Sequence, residues 1–444
     1  MNRSIGLWGA VITLVGFVIG ASIFLLPAEL AATAGPGVII SYAIASIIAA
    51  FSCVIAIQIS DAYPISGASF IITSKMLSPF LGFIVSWLII CSAALAIALV
   101  AHGFSEYSIQ IIPFNKMSTA ICVVLLLGFI NILGTRASLI IQSVMVIFFI
   151  SVIVVFSTVG FATLDSSLLT PFNPSGYSEI FIAAVPAFFS YAGFLMIIEI
   201  GGEIKKPHIT IPLALLISFL TVWLCYSAIS LVIVGHIPWQ ELANTEAALT
   251  VIASTLFPKW IIPIITLTIL LAAASSINGL ILGYSRDIYI LSRVRLLPSF
   301  FSKRSIHATT NSIFLLTLLS AIAVLIGAKI TEYATTIVIL MMLAQMLLGI
   351  SCLRLEYKSP KKQIGSQIKL TVFWRKFFAI GLTLLSLAFS LIGMFSSPIS
   401  TLISIVIILF GACYYFLRVK HITSTGICTS QKISEYINES QQTD

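Results

Sequence analysis

Runs of Ile, Leu, Val, Ala and Phe, each about as long as a bilayer-crossing helix, alternate along the chain with short polar or Pro/Gly punctuation. Twelve such runs can be delimited: 6–33, 37–60, 80–101, 117–134, 138–162, 179–201, 210–235, 259–283, 311–328, 332–353, 376–396 and 399–418. A hydrocarbon core about 30 Å thick takes about 20 residues of helix, so the pattern predicts an all-α integral membrane protein with twelve transmembrane helices. Between the runs no stretch is long enough for a separate soluble domain. The start, Met1 to Leu30, carries Glu29 and no small-residue cleavage site, which predicts a retained first helix rather than a signal peptide. The polar segment beyond the last run, 421–444, predicts a mobile tail.

Composition supports this reading. Among 444 residues, 59% are hydrophobic and 9% charged, which excludes a water-exposed surface for most of the chain and equally a disordered or collagen-like one. The net charge of +8 would suggest nucleic acid in a soluble protein, but here the sidedness of the loops absorbs it. With both termini placed in the cytoplasm of a cell with a plasma or inner membrane, only Lys116, Lys259 and Lys329 of the 23 Lys and Arg residues fall in outer loops. That asymmetry alternates correctly through all twelve runs, so no nucleic-acid partner is expected and the lipid bilayer is. The 7 cysteines include no CxxC and predict neither a disulfide nor a metal site. His102, His208, His236 and His307 sit in loops or at their borders with no convergent partner, so no metal or cofactor is expected.

Two runs carry features that a plain anchor avoids. The first holds Gly16-Phe17-Val18-Ile19-Gly20-Ala21-Ser22-Ile23-Phe24, followed by Pro27; the sixth holds Pro186-Ala187-Phe188-Phe189-Ser190-Tyr191-Ala192-Gly193-Phe194. Gly, Ser and Pro are common in transmembrane helices as packing residues, and either segment alone has that ordinary reading. Their recurrence in the first and sixth runs matches the sign of a transporter built from two five-helix inverted repeats with broken helices. Unwound backbone at mid-membrane is tolerated only where it lines a protected cavity. A half-helix N-terminus offers N–H groups to an anion, and a half-helix C-terminus offers carbonyls to a cation. A zwitterion with one carboxylate and one ammonium, such as an amino acid, satisfies both.

The motifs resemble those of the amino acid/polyamine/organocation (APC) superfamily of transporters. Gly20-Ala21-Ser22-Ile23-Phe24-Leu25-Leu26-Pro27 is similar to the family's first-helix signature, and Phe189-Ser190-Tyr191-Ala192-Gly193-Phe194 with Gly202-Glu203-Ile204-Lys205-Lys206-Pro207 to its sixth helix and following loop. Tyr63 to Phe70, Ser78 to Phe83 with Trp87, Asn131 to Arg136, and Ser275 to Gly279 with Ser285-Arg286 and Leu296-Leu297-Pro298 supply the rest, in order, through the eighth run. The resemblance implies a LeuT-type fold: a first repeat over 1–165, a second, inverted repeat over 166–355, and two extra helices over 356–420. It implies a secondary active transporter, or permease, working by alternating access. It further implies that amides of Ala21, Ser22 and Ile23 hold a substrate carboxylate, that carbonyls of Val18, Phe189 and Ala192 hold the ammonium, and that Phe189 gates the site. Ordinary helix packing is the competing reading of Phe189.

Departures from the family pattern bear on substrate and coupling. Leu195 stands where basic-substrate antiporters of the family carry a Glu, so a neutral, small or apolar amino acid is expected. Glu199 lies one turn deeper on the same helical face. An ionised carboxylate at depth costs about 2.5 to 3.5 kcal/mol, which makes Glu199 a candidate for proton coupling; a snorkelling acid near Lys205 is the alternative. The family's helix-5 lysine is absent, its place taken by Phe149. Val18, Ala272, Ser275 and Ser276 resemble a sodium site of proteins sharing the fold, although paired serines in a membrane helix often make simple interhelical bonds. Glu203, Lys205, Arg286 and Asp287 form a candidate inner gate. An amine or polyamine antiporter and a non-transporting amino acid sensor are the alternatives. An enzyme is not expected, because no nucleophile with an adjacent base converges at one depth.

Overall fold

The computed structural model describes residues 3, 5–20, 22–109, 114–132, 135–245, 248–302, 309–358, 370–424 and 429–442. Among these the protein is helical throughout, and the one extended pairing is an isolated bridge between Ile5 and Ile204. In chain order the helices are α1 (Leu7–Ile19), α2 (Ser22–Ala34), α3 (Val38–Ala62), α4 (Ala68–Met76), α5 (Pro79–Ser108), α6 (Lys116–Ile132), α7 (Thr135–Ala162), α8 (Tyr177–Phe188) and α9 (Met196–Glu199). They continue as α10 (Pro207–Val234), α11 (Trp239–Leu242), α12 (Ala248–Leu256), α13 (Ile262–Arg293), α14 (Thr310–Ile326), α15 (Ile330–Lys358), α16 (Val372–Ser396), α17 (Pro398–Ser424) and α18 (Thr429–Gln442). Among the described residues each of the twelve apolar runs lies mainly in helix. Among the described residues 9 helical stretches are long and apolar enough to cross a membrane, one of them holding the first two runs, while Lys116–Ile132 and Thr310–Ile326 are shorter apolar helices.

Helix is the form these runs take because it satisfies every backbone N–H and C=O within the segment, which a lipid surrounding requires. Their boundaries follow local chemistry. Ser78 Oγ caps α5 by accepting from the Leu81 amide at 3.2 Å, with Pro79 at the first helical position. Gly327 ends α14 at φ 64°.

The bundle is built around α5, whose most apolar stretch is 89% buried, against 17% for that of α17 at the periphery. Outward faces are oily instead of polar: Leu125 and Phe129 on α6, Val144 and Ile147 on α7, Leu384 and Phe395 on α16, and Leu402 and Leu409 on α17 are all exposed. Such a contiguous apolar surface needs lipid around it.

The first run is broken as expected. Between α1 and α2, Gly20 adopts φ 41° and ψ −149°. A Cβ there would overlap Ser276 Oγ and Cβ, so glycine is required both by the backbone conformation and by the approach of α13. The sixth run departs from expectation: it is overwound instead of unwound. After α8 the chain tightens into a 3-10 helix over Phe189–Leu195 before α9. Pro186, inside α8, removes one backbone donor just ahead of this change. A Cβ on Gly193 would overlap the Phe17 ring and sit 2.8 Å from Val18 Cγ2, so the two interrupted helices touch at their interruptions.

One end of the bundle is tied together by polar contacts. The Ile5 amide donates to Glu203 O at 3.0 Å and the Lys205 amide to Ile5 O at 2.8 Å. The segment expected to be a mobile tail instead holds α18, docked on this end. Ile433 and Ile437, one turn apart, are 4% and 2% exposed, Tyr436 Oη donates to Ser66 O at 3.3 Å, and Arg293 pairs with Glu439 at 2.6 Å. The ion pair is exposed and adds little, so apolar burial carries the docking.

Two outcomes are expected. Gly20→Ala should lower the thermal midpoint of the purified protein, since a left-handed φ costs an alanine about 1–2 kcal/mol before the overlap is counted. Gly6→Ala, with nothing within 4 Å of the added carbon, should leave the midpoint unchanged. In a cysteine-free background in detergent, Ile437→Cys should react with a maleimide about tenfold more slowly than Asn438→Cys, tenfold being about 1.4 kcal/mol of docking. Equal rates would show that α18 does not dock.

Candidate functional site

The interruptions of the first and sixth runs open onto one cavity. Phe17, Val18 and Ser22 line it from α1 and α2, Ser92, Ala93 and Ala96 from α5, and Phe189, Ala192 and Gly193 from the 3-10 segment. Ser276, Leu280 and Tyr284 from α13 and Met341 from α15 complete the wall. Its free space is small, ≈ 30 Å³, so the walls are drawn in close.

Two half-helix ends meet the cavity with opposite polarity. The last turn of α1 presents carbonyls, and the first turn of α2, beginning at Ser22, presents amides, that have no partner within their own helix. Several of the α1 carbonyls are already engaged. Ile19 O accepts from Ser22 Oγ at 2.9 Å and from Tyr226 Oη at 3.0 Å, and Phe17 O accepts from Ser276 Oγ at 3.2 Å. Tyr226 Oη also lies 2.5 Å from Ser22 Oγ, so one phenol spans the break from the end of α1 to the start of α2. Its ring is held in turn by Tyr42, stacked at 5.3 Å, and Tyr191 at 5.7 Å. The break is therefore braced from α10 and α3.

Of the residues expected at the substrate site, Val18, Ser22, Phe189 and Ala192 line the cavity. Ala21 lies outside the described residues. Ile23 is fully buried away from the cavity, where its amide alone is relevant. Leu195 is also off the wall: Phe189, Ala192 and Leu195 fall on one face of a helix with three residues per turn, and Leu195 is the turn beyond the cavity. Of the expected ion-site residues, Ser276 reaches the cavity but spends its hydroxyl on Phe17 O. Ala272 is buried one turn past it, and Ser275 faces the position a Cβ on Gly16 would occupy, at 3.0 Å. Ser275 Oγ has no hydrogen-bond partner among the described residues. Phe149 is fully buried.

The charged groups sort differently from the expected inner gate. Arg286 Nη2 pairs with Glu203 Oε1 at 2.6 Å, both largely buried, while Lys205 is exposed and contributes only its backbone. Asp287 and Glu199 are each 1% exposed, and Ser69 Oγ donates to Glu199 Oε1. This burial removes Glu199 from the snorkelling position near Lys205.

Sequence reasoning left out Phe17, Ser92, Ala93, Ala96, Leu280, Tyr284 and Met341. One signal was present: Ser276, Leu280 and Tyr284 recur every fourth residue, so one anchored member places the other two. The tyrosines of α3 and α10 gave no signal, since each sits inside an apolar run.

The chain matches the amino acid permease family over residues 5–417. It is 24% identical over 384 residues to a branched-chain amino acid permease of Bacillus subtilis, covering 81% of this chain and 82% of the relative. A branched-chain amino acid permease of Lactococcus lactis is 26% identical over 71% of this chain and 73% of its own length. A methylthioribose transporter of Bacillus subtilis is 26% identical over 69% and 70%. With the match running through nearly the whole chain and the apolar helices that carry it in place, this protein is a multi-pass membrane transporter that belongs to the amino acid permease family.

Proposed function

We propose that the protein is a secondary active transporter that moves a neutral, aliphatic amino acid by alternating access at the cavity between the two interrupted helices. The observation that carries the proposal is the meeting of a half-helix C-terminus and a half-helix N-terminus on that one cavity, braced by Tyr226. Amides of the first turn of α2, at Ser22 and Ile23 with Ala21 ahead of them, take the carboxylate. The Val18 carbonyl, with those of Phe189 and Ala192, takes the ammonium. Phe189, half-buried at the wall, closes over the bound substrate. Ala93, Ala96, Leu280 and Met341 suit an aliphatic side chain, and no carboxylate lines the cavity to hold a second cationic group. The relatives named as branched-chain amino acid permeases support the same substrate class, and the lining disfavours a polyamine.

In this reading twelve helices span the cell membrane as two inverted five-helix repeats, 1–165 and 166–355, followed by α16 and α17, with both termini cytoplasmic. Rocking of the repeats exposes the cavity to each side in turn. A proton is the proposed coupling ion, with Glu199 part of its path. The set of Val18, Ala272, Ser275 and Ser276 is the weaker candidate for a sodium ion, because one hydroxyl is already committed.

Purified protein in liposomes should take up or exchange labelled leucine, isoleucine or valine. Ser22→Pro should reduce this to background, because proline removes a carboxylate-binding amide together with the hydroxyl that meets Ile19 O and Tyr226, whereas Ser22→Ala, which removes the hydroxyl alone, should retain part of the uptake. Saturable binding without flux would mark a sensor, and uptake of polyamines in place of amino acids would mark an amine antiporter. No binding and no uptake across the neutral amino acids would overturn the proposal.

A further inference from the structure

Beyond the cavity, about two turns past Ala192 on the sixth run and one turn past Tyr284 on α13, lie the buried carboxyls of Glu199 and Asp287. Gly283 packs on Met196, where an added Cβ would lie 2.8 Å from Met196 Cγ, and about one turn further along the same two walls the carboxyls of Asp287 and Glu199 face each other. Both are 1% exposed. Ser69 turns both its hydroxyl, onto Oε1, and its backbone amide to the Glu199 carboxyl, but among the described residues Glu199 Oε2 and both oxygens of Asp287 have no hydrogen-bond partner. Two ionised carboxylates in contact, shielded from water and short of donors, are not a stable arrangement. One proton between them resolves it, because a hydrogen bond between two carboxyl groups exists only when one of them carries the hydrogen.

The charged and titratable groups around α9 do not replace that proton. On α13, Arg286 directs Nε and Nη2 to Glu203 Oε1 at 2.7 Å and 2.6 Å and Nη1 to Leu282 O. Tyr284, also on α13, is neutral and lines the cavity. On α3, Asp61 is engaged by His208 Nδ1 at 3.2 Å. On α4, Lys75 is exposed. The 3-10 segment contributes Tyr191, which belongs to the tyrosine brace, and the span of α1 contributes no ionisable group.

We infer that Glu199 and Asp287 together form a one-proton carrier site. The inference rests on the transport reading above and deepens it, by adding Asp287 as the partner with which Glu199 holds a single shared proton. A proton taken from one aqueous side forms the O–H···O link and permits α9 and α13 to close on each other with substrate in the cavity. When the walls part on the other side, water reaches both carboxyls, the O–H bond breaks and the proton leaves with the substrate. Arg286, adjacent in sequence to Asp287, is the counter-charge available to the emptied pair, at the expense of its bond to Glu203. Proton loading and closure of the Glu203–Arg286 contact are linked in this way.

The test uses full-length protein in two preparations. In proteoliposomes, a pH gradient of one unit should drive accumulation of a labelled branched-chain amino acid by at most about tenfold. Glu199→Gln and Asp287→Asn, whose amides imitate the protonated state, should each abolish the response of uptake to the gradient. Exchange in the wild type with no response to the pH gradient, or a response to sodium alone, would overturn the inference and leave the transport reading standing. So would an unchanged pH response in both variants. In detergent, infrared spectroscopy of the wild type at neutral pH should show a protonated-carboxyl band that both variants lack, with thermal unfolding to confirm that they fold. That readout does not depend on flux. If no amino acid is exchanged at all, the transport reading fails, and the presence or absence of the band still decides whether the pair holds a proton.

Discussion

Everything in this molecule is arranged around the difficulty of leaving a peptide group unpaired in oil. Along most of its length the chain meets that requirement by unbroken helix, and the surface those helices present outward is apolar. The requirement is relaxed at two places, Gly20 and the segment Phe189–Leu195, and they are in contact through Gly193 against Phe17 and Val18. Each interruption shelters the other from lipid. Half-helix ends that would be costly alone become the polar lining of one cavity, and Tyr226, Ser22 and Ser276 occupy those carbonyls that the cavity itself does not use.

The polar groups of the interior lie in successive layers along the walls of the sixth run and α13. Around the cavity lie the half-helix ends and the serines, further along the walls the Glu199 and Asp287 carboxyls together with the Arg286–Glu203 ion pair, and at the end the bridge of Ile5 with Ile204 and the docked α18. Removing one partner of a buried ion pair costs about 3–5 kcal/mol because the other charge is left uncompensated, so Arg286 and Glu203 each depend on the other's presence. A transporter that exposes its site alternately must open this series at one end without flooding it from the other. Under the alternating access proposed here, polar groups set at separate levels of these two walls would give each level its own point of opening.

Much of this was legible in the sequence because bilayer helices are set by length and hydrophobicity, which need no knowledge of neighbours. Among the described residues the twelve runs lie mainly in helix, and Gly20 and Gly193 stand out as glycines in otherwise oily segments, each about two turns from a proline. Residues that depend on which face meets which neighbour were not legible. The third run is buried on nearly every side, so it has no amphipathic stripe from which Ser92, Ala93 and Ala96 could be read. Tyr42, Tyr191 and Tyr226 meet from three separate runs, and Glu199 and Asp287 from two. In α18 the signal existed, Ile433 and Ile437 one turn apart with Tyr436 beside them, but the polarity of the surrounding residues concealed it. The overwinding after Pro186 was misjudged because Gly and Pro mark an interruption without fixing its sense.

The central claim is that backbone groups at the two interruptions grip the charged ends of an amino acid. Calorimetry on the purified protein tests it most directly, by comparing a branched-chain amino acid with its methyl ester and with its N-acetyl derivative. Hydrogen bonds to charged groups contribute about 1.5–3 kcal/mol each, so either derivative is expected to bind about tenfold to a hundredfold more weakly than the parent. Derivatives that bind as tightly as the parent would contradict the account.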